Sequence, residues 1–137
     1  MQIQDVVSGV NAKLAGETLT FTEMRLFLDE VIDDINAALN ANFPVFSTLA
    51  ANANYNFFPD RYIRSVVIVG AASKFYVTDE EGIETASQYA MDYAQRLFLM
   101  KRDYSMQVPE EYQAQDQGYL TGAPRTSGLQ SSPFVGW

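Results

Sequence analysis

The chain has 137 residues, 47% of them hydrophobic, and a formal net charge of −8. That length suits one domain with one modest core, and the acidic balance argues against wrapping nucleic acid by phosphate neutralisation. Cysteine and histidine are both absent, which excludes disulfides, thiolate metal sites, histidine bases and histidine-activated nucleophiles. Ile3, Val6, Val7, Val10 and Leu14 recur at helical spacing and predict a first helix, with Gly16 as its stop. Thr20-Phe21-Thr22-Glu23 has the form of a capping box. It opens a second helix predicted to run to about Asn40, with Met24, Phe27, Leu28, Val31, Ile35, Ala38 and Leu39 on one stripe.

Ala41 to Phe58 reads ANFPVFSTLAANANYNFF, long for a loop in a compact domain, and long loops tend to be functional. VFSTL and YNFF could pair as a short two-stranded arm, or the aromatic residues could pack an irregular loop. Pro59-Asp60 starts a third helix, RYIRSVVIVGAASKFYV, apolar almost all round as a central helix should be. VVIVGAAS is not a dinucleotide turn, because Gly70 stands alone where G-x-G-x-x-G is required. In a helix, Gly70, Ala71 and Ser73 instead permit close helix approach. After the acidic turn Thr78–Gly82, a fourth helix carries Ala86, Tyr89, Ala90, Tyr93, Leu97, Met100 and Tyr104 as its stripe. Its acids lie near the start and Lys101-Arg102 near the end, as the helix dipole favours.

Residues 107–137 differ in kind: three prolines, four glycines and five glutamines, with no helical spacing of apolar residues. Such composition does not bury enough surface to offset its ordering entropy. It nevertheless keeps Tyr112, Tyr119, Leu120, Leu129, Pro133, Phe134, Val135 and Trp137. Aromatic anchors in a polar segment carry binding energy well, so the tail is expected to dock on a partner rather than trail in solvent. The expected organisation is an all-α bundle of about four helices over 1–106, with a tail over 107–137.

The acids Asp29, Glu30, Asp33 and Asp34 form like-charge pairs four apart on the second helix. A solvated face is the plain reading. A contact with basic residues of a neighbouring subunit, Arg61 and Arg64 being candidates, is the sharper one. A two-metal carboxylate site lacks ligands from other elements. No apolar run reaches the roughly 20 residues needed to span a bilayer, and the first residues lack the pattern of a signal peptide.

The helix order, the proline-started PDRYIRSVVIVGAASKFYV segment, the acidic turn and the YAMDYAQRLF helix together resemble the head–tail connector (adaptor) proteins of tailed bacteriophages. The resemblance implies a structural, non-enzymatic virion protein without cofactors, located in the neck and assembled in the host cytoplasm. It implies a homo-oligomer, a twelve-membered ring beneath the portal, anchored to portal protein by the tail and facing a stopper or tail protein below. Segment 41–58, with Phe46 and Tyr55, would then face the channel or the next ring. DNA would pass through an acidic ring without specific binding. Two other roles remain open: another minor head or tail-completion protein, and a small acidic regulator or DNA mimic occupying a basic protein surface.

Overall fold

The computed structural model describes residues 1–14, 16–78 and 83–114, and within them the fold is all-α, built on four helices. Helix α1 is Ile3–Asn11. It buries Ile3, Val6 and Val10, and Leu14 continues the apolar row from the turn beyond it. The helix stops early because Asn11 turns its side chain onto Leu19. Its Nδ2 donates to the Leu19 carbonyl at 2.9 Å and its Oδ1 accepts from the Leu19 N–H at 2.9 Å. Gly16 takes the left-handed backbone (φ +81°) that the reversal requires.

Helix α2 is Phe21–Leu39. The Glu23 N–H donates to Thr20 Oγ1 at 3.2 Å and the Thr20 N–H to Glu23 Oε1 at 2.9 Å, so two free donors of the first turn are satisfied reciprocally. The helix ends where Asn40 turns left-handed, at φ 51° and ψ 53°. Asn36 then repeats the Asn11 device, donating to the Phe43 carbonyl at 3.1 Å and accepting from its N–H at 2.8 Å.

Helix α3 runs through residues 60–77 as three consecutive pieces, an α turn Asp60–Tyr62, a π turn Ile63–Val67 and a longer α piece Ile68–Val77. In the widened turn the Ile68 N–H reaches back to the Ile63 carbonyl, leaving room for one extra residue. Residues 66–73 are buried without interruption, as expected of the central helix, which packs on α1, α2 and α4. Gly70 sits where those contacts are tightest. A Cβ built there would lie 2.6 Å from Tyr93 Cε1 and 2.8 Å from Val31 Cγ2, so its role is close approach rather than ligand binding.

Helix α4, Ile83–Tyr104, presents Tyr93, Met100 and Tyr104 to the core, with Ala86, Tyr89 and Leu97 half-buried beside them. Ala90, assigned to that stripe by spacing, is exposed. The acidic turn expected at 79–82 lies outside the described residues.

Segment 41–58 takes the irregular, aromatic-packed alternative. Its VFSTL half forms a 3₁₀ turn at Phe46–Thr48. Its other half pairs with the chain's first residues, through Ile3 N–H to the Ala53 carbonyl at 3.0 Å and Tyr55 N–H to the Met1 carbonyl at 2.7 Å. The Met1 ammonium also binds Asp60 Oδ1 at 3.0 Å. The helical body does not end at residue 106, as expected from composition. Val108 is buried, Glu110–Tyr112 forms a short turn, and the Ala114 N–H donates to the Asn40 carbonyl at 3.1 Å. The body therefore extends at least to Ala114.

Candidate functional site

Phe46 and Tyr55, expected to face a channel or a neighbour, are both fully buried. Their rings stack at 4.3 Å with 10° between planes. Phe57 and Phe58 meet Tyr55 edge-on at 4.9 Å and 5.4 Å, and Phe58 also meets Phe43. Tyr55 Oη donates to the Pro44 carbonyl at 2.6 Å, closing the loop on itself. Burial, with the Asp29 charge second, raises the Tyr55 phenol well above its ordinary value of 10.0. The segment projects no aromatic finger from these two positions. They are core because an eighteen-residue loop with five aromatic rings gains more by covering one end of the bundle than by leaving those rings in water.

Tyr112, expected to grip a partner, is instead half-buried on its own body. Its ring lies 5.3 Å from Phe43 and 5.5 Å from Phe57, and its carbonyl accepts from the Asn42 N–H at 2.7 Å. The other tail anchors, Tyr119, Leu120, Leu129, Pro133, Phe134 and Trp137, lie outside the described residues.

The acid row on α2 is largely engaged within the chain. Asp29 accepts from both the backbone N–H and the hydroxyl of Ser47, which pins the 3₁₀ turn to the helix. Asp34 accepts from Lys74 Nζ at 2.9 Å and from Tyr93 Oη at 2.7 Å. Glu30 lies 3.9 Å from the same ammonium. The Tyr93 phenol is raised by burial first, and then by its hydrogen bond to Asp34 and the charges of Asp34 and Glu30. This cluster ties α2, α3 and α4 together in one polar knot. Only Asp33 in the row stands exposed with no such bond among the described residues.

Arg61 and Arg64, proposed partners of that row, are exposed one turn apart at the start of α3. The Arg61 guanidinium lies over its neighbour Tyr62 at 4.7 Å from the ring centre. Among the described residues no three acidic side chains converge to hold a metal ion, and no helix is long and apolar enough to cross a membrane. An open hollow of about 350 Å³ beside α1 is lined by Ile3, Gln4, Val7, Ser8, Phe21 and Ala51. None of these described lining side chains is charged.

The surface that the sequence reading passed over is the outward side of α4. Met91 is 75% exposed, Phe98 63% and Met106, just beyond the helix, 94%. Leu26 on α2 is 68% exposed. Met91 and Phe98 are seven residues apart, on the side opposite the buried stripe. That spacing was a usable signal. No family model, no curated protein and no solved structure matches the chain.

Proposed function

We propose that this protein is a structural subunit of a phage neck, a ring component placed between portal and tail and held to the portal through its C-terminal tail. The observation that carries the reading is the combination of a completed core with large apolar side chains left outside it. Phe46, Tyr55 and the stripes of all four helices fill the interior, while Met91, Phe98, Met106 and Leu26 remain in solvent. Exposed apolar surface rimmed by polar residues marks an interaction site. The residues beyond Ala114 add Tyr119, Leu120, Phe134 and Trp137 within a stretch rich in glycine, proline and glutamine. The acidic balance suits a ring through which DNA passes without adhering.

The alternative of a DNA-mimicking regulator is less well supported. Asp29, Glu30 and Asp34 are bonded within the chain, and an isolated row of free acids is what such a role would need. Co-purification with portal protein tests the leading reading. The full chain should be retained on immobilised portal, and a chain lacking residues 128–137 should keep its helical circular dichroism and lose retention. Equal retention of both chains would overturn the tail as the anchor. Absence of the protein from the neck in electron micrographs of virions would overturn the role itself.

A further inference from the structure

We infer that this chain associates with copies of itself by laying the outward face of α4 on the outward face of α2 of the next copy. The inference deepens the assembly role proposed above and rests on it, since it names the two surfaces that would join subunits.

Both faces lie opposite the buried stripe of their helix, and each sets an exposed apolar residue ahead of charged ones. On α4 the exposed side runs Met91, Ala94, Phe98 and then Lys101 with Arg102. On α2 it runs Thr22, Leu26 and then Glu30 with Asp33. The spacings match. Glu30 follows Leu26 by four residues and Arg102 follows Phe98 by four, so each charge lies roughly 6 Å along its helix from the apolar residue. Two such helices side by side and parallel place Leu26 against Phe98 and the acids against the bases.

In that parallel arrangement the signs are complementary and not self-complementary. Two parallel α4 faces would set Lys101 and Arg102 against the same residues, and two parallel α2 faces would set acid on acid. Arg102 already binds Asp103 at 2.8 Å, so Lys101 brings the unshared positive charge. Asp33, the acid of the α2 row left outside the internal knot, brings the unshared negative one. Contact between two different faces is heterologous, so every copy keeps one face of each kind free and association continues until a ring closes or a filament grows. The exposed apolar residues supply burial, and the charges set direction and register.

A charge-swap experiment on the full chain reads this directly. Variant one carries Lys101→Glu and Arg102→Glu, and variant two carries Glu30→Lys and Asp33→Lys. Circular dichroism first establishes that both fold. In sedimentation velocity the native chain should form species larger than a monomer, less so at high salt. Each variant alone meets like charge at every contact, and its association should weaken at least about a hundredfold. Mixed in equal amounts, the two should assemble again, because each reversed α4 face then finds a reversed α2 face.

Phe98→Ser should weaken association in any pairing. Failure of the mixture to recover assembly overturns the pairing, as does a native chain that stays monomeric at all concentrations. The two readings fail separately. A monomeric chain that is nonetheless found in virion necks sinks the pairing and leaves the role, and charge-swap recovery in a protein absent from virions does the reverse.

Discussion

Segment 41–58 holds Phe43, Phe46, Tyr55 and Phe58 at 4% exposure or less, whereas α4, a regular helix about 33 Å long, leaves Met91 and Phe98 in solvent. The irregular region behaves as core and the regular one carries a surface. Burial follows what a segment can cover, not how ordered its backbone is. The segment closes over the end of the bundle where α1 begins and α2 ends. Helix α4 has two sides, and the described residues cover only one.

Breaking the buried side of that contrast should have the largest effect. Phe46→Ala removes the ring stacked on Tyr55 and should lower unfolding free energy by about 3–5 kcal/mol, read by urea denaturation. A loss below about 0.5 kcal/mol, the range of exposed positions, would show that the loop is not part of the core. Gly70→Ala should come next. Its Cβ meets Tyr93 and Val31 at distances no real contact allows, so an overpacking loss of about 1–3 kcal/mol is expected.

Tyr93→Phe sharpens the inner side of α4 through pH. Tyr93 faces Asp34 and Glu30 from α2 and Lys74 from α3, and its folded phenol titrates above the ordinary value of 10.0. A raised folded value gives stability that is whole below about pH 10. That stability drains away as pH rises toward the folded value. The phenylalanine variant should therefore show a shallower loss of stability above pH 10 than the native chain, in thermal melts across that range. The smallest effect belongs to the outer side. Phe98→Ser should change monomer stability by no more than about 0.5 kcal/mol, and a larger loss would mean that Phe98 is packed in the monomer after all.

Local chemistry was the legible part of the fold. The Thr20–Glu23 box, the end of α2 at Asn40 and the close approach at Gly70 follow from rules acting over a few residues. Leu14 shows the limit. It obeys the α1 spacing and is buried, yet it lies beyond the helix, because Asn11 bonds to Leu19 instead of continuing the turn. The fate of Tyr112 was illegible because the residues that hold it, Asn42, Phe43 and Phe57, are far away in sequence and share no period with it. The same holds for Asp29 and Ser47. Of the candidate site, the four acids were visible as a row, but their engagement by Lys74, Tyr93 and Ser47 was not. A charge pattern fixes a face and leaves open what the fold brings to it.

The π turn at Ile63–Val67 makes the length of α3 forgiving at one place. Five residues there span what four span in an ordinary α turn, so deleting one would restore ordinary pitch and leave the turns on either side facing as they do now. Asp60 would keep the Met1 ammonium, 3.0 Å distant, and Tyr62 the Tyr104 ring, 5.2 Å distant. A deletion elsewhere in the helix would rotate one end against the other by roughly 100° and part such contacts. Descendants of this sequence should therefore tolerate loss of a codon at 63–67 better than elsewhere along residues 60–77.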